Sequence, residues 1–228
     1  MQLCSQKAIL AQVREHLGRD YDVKKHFTPS YKPWDQRMCL VPEGDLFESI
    51  KSGDASVVTD HIETFTESGI RLKSGRELEA DIIITATGLK VVVLGKINVT
   101  MDGQPFDVTD KMSYRGVMFE GIPNAAMVFG YTNSSWTLKA DLIADYFCRI
   151  VNYMDDKGYD EVIPVNHDPG MAKKSFIDLT SGYISRVKDQ LPKQGTKGAW
   201  KLHQNYFRDW LSLRASRITA KELQYGKK

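Results

Sequence analysis

The sequence is short of several things, and each shortage removes a class of function. No two of its glycines stand one residue apart, so the G-x-G-x-x-G fingerprint of dinucleotide-binding turns cannot occur; the G-x-x-x-x-G-K-[ST] phosphate loop is missing as well. Any dinucleotide chemistry here must do without its usual pyrophosphate anchor. Cysteine is scarce: Cys4, Cys39 and Cys148 are odd in number and far apart, with neither C-x-x-C nor Cys/His ligand spacing. That argues against a disulfide framework and a zinc site, leaves no redox pair for thiol–disulfide chemistry, and points to a reducing, cytoplasmic setting. Charge of one sign is missing too. The net charge is +2 and no basic stripe emerges, Lys24-Lys25-His26 being too short, so nucleic acid is not the expected partner. No apolar run approaches the roughly 20 residues that span a bilayer, and the first residues lack a signal-peptide core.

What is present is enough for an ordinary folded core: 42% apolar and 26% charged residues are globular proportions. The chain is organised around Asp81-Ile82-Ile83-Ile84-Thr85-Ala86-Thr87-Gly88. Three consecutive isoleucines predict a strand covered on both faces, in a parallel or mixed sheet. In such sheets ligands sit at the carboxyl ends of strands, which puts a nucleotide at Thr85, Ala86, Thr87 and Gly88. Many buried strands end in a glycine turn and bind nothing, so the octapeptide alone leaves both readings open.

A second strong feature follows at residues 125–130, Ala-Ala-Met-Val-Phe-Gly, which predict another buried strand. Tyr131 to Ser135 break it, and residues 136–156 predict a helix with Trp136, Ala140, Ile143, Phe147, Ile150, Val151 and Met154 on its apolar stripe. Cys148 is expected in the core beside that stripe. Asn133, Ser134 and Ser135 are all good N-cap residues. A glycine-ended strand feeding a capped helix offers free N–H groups and a helix dipole to an electron-rich ligand, or is simply a structural unit.

The remaining segments are read in order. Residues 6–18 predict a surface helix stopped by Gly18; residues 20–42 are a loop dense in proline and aromatics, carrying Trp34-Asp35-Gln36-Arg37. Arg37 presents a planar donor fork suited to anionic oxygens, or pairs with Asp35 or Asp45. Residues 43–53 predict a helix closed by Gly53. Residues 56–60, 62–66 and 69–72 form a β-meander, 98–107 a hairpin around Asp102-Gly103, and 114–119 a strand. Residues 160–174 read as irregular, 182–191 as a short helix, 193–198 as a basic, mobile loop, 202–217 as a last helix, and 221–228 as a frayed tail.

Taken together, these residues resemble a known family. Residues 81–88 look like the A-T-G motif of FAD- and NADPH-dependent monooxygenases of the Baeyer–Villiger and flavin-containing type. Residues 127–141 are similar to the last strand and helix of their FAD domain. Tyr31-Lys32-Pro33-Trp34-Asp35-Gln36-Arg37, with residues 40–47, resembles their arginine-bearing segment, and Leu191-Pro192-Lys193-Gln194-Gly195 also fits. The resemblance covers nearly the whole chain, but only the second half of such enzymes. The two glycine fingerprints, and the F-x-G-x-x-x-H-x-x-x-W-P signature between them, have no counterpart here.

The resemblance implies an α/β fold: a partial two-dinucleotide-binding-domain flavoprotein with a helical, irregular C-terminal extension. Residues 1–88 would be the C-terminal part of the NADPH domain with a helical and loop insert, residues 89–158 the C-terminal part of the FAD domain, and residues 159–228 the extension. It implies FAD and NADPH as cofactors. Small ketones, or sulfur or nitrogen compounds, would be substrates together with O2, the flavin peroxide attacking a carbonyl as an anion and sulfur or nitrogen when protonated. Arg37 would stabilise the negatively charged peroxide. Gln36 stands where better-studied members have a lysine for the NADPH 2′-phosphate, which leaves that ligand open. Gly130, Tyr131, Thr132, Asn133, Ser134, Ser135 and Trp136 would lie near the pyrimidine edge of the flavin, and Thr85, Ala86, Thr87 and Gly88 would cross between the two domains. Trp34, Tyr131 and Trp136 either line the substrate side or pack in the core, and no metal is implied. The alternative is a non-catalytic module, or one half of a split enzyme that needs a separate N-terminal chain.

Overall fold

The computed structural model describes residues 2–227, apart from Trp34, Arg37, Met38, Leu40 and Asn133. It divides into two compact units, Met1–Leu89 and Lys90–Lys228.

In the first unit, α1 (Gln2–Leu17) ends where Gly18 turns left-handed at φ +86° and its N–H donates to the Arg14 carbonyl at 3.0 Å. A short α2 (Val23–His26) is capped by Asp22, whose carboxylate accepts from the Lys25 N–H at 3.0 Å. The helix expected at 43–53 is α3 (Asp45–Ser52), closed by Gly53 in the left-handed region. It packs on α1 through His16 stacked on Phe47, with ring centroids 5.3 Å apart. The meander is present with one strand exchanged: β1 (Ile62–Phe65), β2 (Gly69–Leu72) and β3 (Glu77–Glu79) form an antiparallel sheet in that order. Residues 56–60 stay outside it, and the Ser74-Gly75 turn instead folds Glu77 and Leu78 back onto Arg71 and Ile70. At Gly69 a Cβ would overlap the Leu78 carbonyl oxygen, so this close strand pairing requires glycine.

The strand expected at residues 81–88 is not formed. The segment forms no regular secondary structure and pairs with no strand among the described residues, and Ile82, Ile83 and Ile84 are 80%, 39% and 86% exposed. The physical reason is pairing. A three-isoleucine strand is stable only between neighbouring strands, and the sheet of this unit stops at β3, where the chain leaves.

The second unit opens with hairpins. β4 (Thr100–Met101) and β5 (Gln104–Pro105) flank Asp102-Gly103, both at positive φ, as the turn sequence predicts. Residues 114–119 are not one strand but the inner part of a hairpin, β6 (Ser113–Tyr114) and β7 (Met118–Phe119), because Arg115 and Gly116 turn left-handed between them. The strand expected at 125–130 is reduced to a single bridge from Ala126 to Met118, with the Met127 N–H donating to Val117 O at 2.8 Å. The rest of that segment forms no strand before α4 begins.

The centre of the unit is α4 (Trp136–Lys157). Its inward face is Lys139, Leu142, Ile143, Tyr146 and Ile150, packed with Met112, Tyr114, Met118, Trp200, Leu213 and Leu223. The helix is where the sequence puts it, but its stripe is rotated from the expected one: Trp136, Val151 and Cys148 lie exposed. Cys148 is two residues from both Tyr146 and Ile150, about 200° around the helix, and so points away from the core.

After α4, β8 (Glu161–Pro164) pairs with β11 (Leu223–Gly226), and β9 (Lys173–Ser175) with β10 (Lys193–Gly195). Each of the stretches 160–174, 193–198 and 221–228, expected to be irregular, mobile and frayed, thus contributes to a strand pair, while residues 165–172 stay irregular as expected. α5 (Gly182–Ser185) occupies only the start of the helix expected at 182–191, and α6 (Tyr206–Arg214) the middle of the one expected at 202–217. α6 lies along α4. The Arg149 guanidinium closes its end by donating to the Leu213 carbonyl at 3.0 Å and the Ser216 carbonyl at 2.9 Å.

Candidate functional site

Residues 130–132 and 134–135 lead the chain round into α4, which starts at Trp136. Gly130 is buried, and a Cβ there would sit 2.5 Å from Trp136 Cδ2 and 2.7 Å from Trp136 Cα. Only glycine lets the backbone pass this close to the helix it is about to enter. Phe129 supports the turn with its ring 5.1 Å from that of Trp136.

Beyond Gly130 the turn shows two faces. Tyr131 is buried, its phenol oxygen within hydrogen-bonding distance of no partner among the described residues; burial first, and the nearby Asp209 carboxylate second, push its pKa up. Ser134 and Ser135 are exposed, and Trp136 is 46% exposed. Ser135 is the N-cap of α4, yet its hydroxyl bonds to Thr137 Oγ1 at 2.7 Å and gives the helix no side-chain cap. The Ser135 side chain thus leaves the first N–H groups of this 22-residue helix without its cap, beside exposed Ser134, Ser135 and Trp136. An electron-rich group would be favoured there by roughly 0.3–1 kcal/mol from the dipole, more with partial burial.

Behind the turn lies a cluster that the sequence reading missed. Lys139 and Asp209 form an ion pair at 3.0 Å with side chains only 4% and 5% exposed. The Lys139 Nζ also reaches the His203 carbonyl at 3.5 Å and stands 5.2 Å from the centre of the Tyr131 ring. Thr132 donates its N–H to Gln204 Oε1 at 3.0 Å and its hydroxyl to the same atom at 3.2 Å. His203, beside them, has its pKa lowered, chiefly by burial. One signal was available: Lys139 lies in phase with Leu142, Ile143 and Tyr146, a charge on the apolar face. No sequence signal identifies Asp209, some seventy residues on, as its partner.

The remaining predicted residues fall elsewhere. Gln36 is half-buried in the first unit, in an isolated bridge with Pro33, and Thr85 to Gly88 lie exposed in that same unit. Arg37, Trp34 and Asn133 lie outside the described residues. Among the described residues, no three His, Cys, Asp or Glu side chains cluster as a metal site would require, and no helix is long and apolar enough to cross a membrane.

No family model matches the chain. Individual proteins do. Over 222 residues, 97% of its length, it is 51% identical to "FAD-containing monooxygenase EthA" of Mycobacterium tuberculosis. The protein of the same name in Mycolicibacterium smegmatis is 48% identical over 221 residues, and "Probable FAD-binding monooxygenase AlmA" of Acinetobacter baylyi 51% identical over 223. The match covers 45% of each of these three proteins, so the chain spans less than half the length of these relatives. Identity this high along essentially the whole chain matches the resemblance carried by its motifs: the chain corresponds to the C-terminal half of an EthA-like FAD-containing monooxygenase.

Proposed function

We propose that the chain serves in an FAD- and NADPH-dependent monooxygenase of the Baeyer–Villiger or flavin-containing type, acting on small ketones or on sulfur or nitrogen compounds. The observation that carries this reading is the turn at residues 130–136. It combines a glycine-enforced close approach with an exposed first turn of α4 that lacks a side-chain cap, a donor set that fits the electron-rich pyrimidine edge of a flavin. FAD, reduced by NADPH, would supply the activation of O2. The chain's own residues would do the rest. Backbone N–H groups and Ser134 and Ser135 would hold the flavin edge, and Trp136 would flank it. Thr85 to Gly88 would carry the chain between the NADPH part, ending at residue 88, and the FAD part, residues 89–158, with residues 159–228 as an extension. Arg37 would set a permanent cation beside the negative charge that develops during oxygen transfer. The test is Arg37→Ala in the chain assembled with the N-terminal portion of its M. tuberculosis relative. Oxygenation should be lost while FAD stays bound; retained turnover would sink the assignment.

A second reading, a half that works only with a separate N-terminal chain, is favoured by the exposure of Ile82, Ile83 and Ile84. Such a run of exposed isoleucines, without a strand partner among the described residues, invites another sheet. Purifying the 228-residue chain alone separates the readings: a colourless, associating product supports the half-enzyme, and a yellow, NADPH-oxidising monomer refutes it.

A further inference from the structure

The turn before α4 is gripped by residues some seventy positions later in the sequence. Gln204 takes both the N–H and the hydroxyl of Thr132 on one oxygen. The next residue, Asn205, caps α6 by accepting from the Arg208 N–H at 3.1 Å, which fixes the direction in which Gln204 leaves the helix. One turn later Asp209 reaches back into α4 and holds Lys139, which in turn covers the ring of Tyr131. Two holds thus run from a short stretch before and within α6, Gln204 onto the turn and Asp209 onto the helix it starts, with the Asn205 cap setting the spacing between them.

We propose that residues 203–209 are a latch that sets the conformation of the turn, with Gln204 as the positioning residue on its backbone and the Lys139–Asp209 pair as its anchor. The functional weight of this latch rests on the reading of the turn as flavin-contacting. Gln204 is exposed and adds nothing to the core. Its effect is directional: by taking the Thr132 N–H it leaves the N–H groups at the start of α4 as the ones offered to a ligand. The anchor keeps α6 from sliding along α4, because separating the pair would strand a charge in a dry interior.

Amide hydrogen exchange on the intact 228-residue chain tests the latch directly. Gln204→Ala should raise exchange at the Thr132 amide at least tenfold, with the middle of α4 unchanged. Gln204→Glu, which keeps the acceptor oxygen, should restore protection. Unchanged exchange in Gln204→Ala, or no rescue by Gln204→Glu, overturns the proposal. The functional arm measures FAD binding, by quenching of flavin fluorescence, in the assembly with the N-terminal portion of the M. tuberculosis relative. Gln204→Ala should weaken FAD binding several-fold; equal affinity despite a freed Thr132 overturns the positioning role. A wild-type assembly that takes up no FAD would instead refute the flavin reading of the turn, and the exchange arm would still decide the latch.

Discussion

Replacing Lys139 by Met removes a cation whose side chain is 4% exposed and leaves the Asp209 carboxylate 3.0 Å away with no counter-charge, in a site where it is 5% exposed. Desolvation has already been incurred for both ions, so loss of one partner forfeits the attraction while the penalty on the other remains. Breaking such a pair costs about 3–5 kcal/mol. A surface pair such as Lys51–Glu48, half or more exposed on both sides, contributes at most about 1 kcal/mol and serves as the control. Since whole domains are stable by about 5–15 kcal/mol, Lys139→Met should bring the second unit close to unfolding. The double variant Lys139→Met/Asp209→Leu removes both charges and should return most of that loss, because apolar replacement of a buried pair is often neutral or better. Urea denaturation followed by tryptophan fluorescence reads this out; Trp136, Trp200 and Trp210 all belong to the second unit. The reasoning fails if the single variant costs under about 1 kcal/mol, as an exposed pair would, or if the double variant is no more stable than the worse single one.

Three further outcomes are expected. Gly130→Ala drives a Cβ into Trp136 and should cost about 1–3 kcal/mol with an altered Trp136 near-ultraviolet signal; an unchanged spectrum and midpoint would refute the close approach. Burial holds the His203 pKa below its ordinary 6.5, against the pull of Asp209 and with Arg208, Lys201 and Lys139 pushing the same way as burial. The unfolded chain therefore takes up the proton first, so this contribution is full above pH 6.5 and is lost as pH falls toward the folded value; the urea midpoint should drop on acidification from 6.5, and His203→Gln should flatten that drop. Replacing Ile82 and Ile84 by Ser should reduce self-association of the chain by size-exclusion chromatography and weaken its assembly with an N-terminal half; equal association in both chains would argue against these residues as the sticky element.

How much was legible in the sequence depended on how local the determining physics was. α3, α4 and the Asp102-Gly103 hairpin were written in their own residues, through a closing glycine, a 3.6-residue stripe and a turn that needs positive φ. The isoleucine run at 82–84 carries an equally clear pattern, yet the same physics leaves it unpaired, because a strand's stability lies in neighbours that its own residues do not encode. The pairing of β8 with β11 and of β9 with β10 was invisible for a related reason: each joins segments far apart in sequence, with no turn between them to announce it. The Gly130 turn was legible in composition. Its support was not, since nothing in the sequence joins Lys139 to Asp209, and the pair is visible only in the fold.

The ladder between β8 and β11 also has a consequence in time. Leu223 is at once a member of that ladder and of the main core around Leu142 and Ile150. Until Leu223 has left the ribosome, α4 can form its own hydrogen bonds but cannot have its apolar face sealed. For most of its synthesis the second unit would be an open-sided intermediate, a client for whatever shields nascent apolar surface, and translation that stalled before residue 223 would strand it in that state.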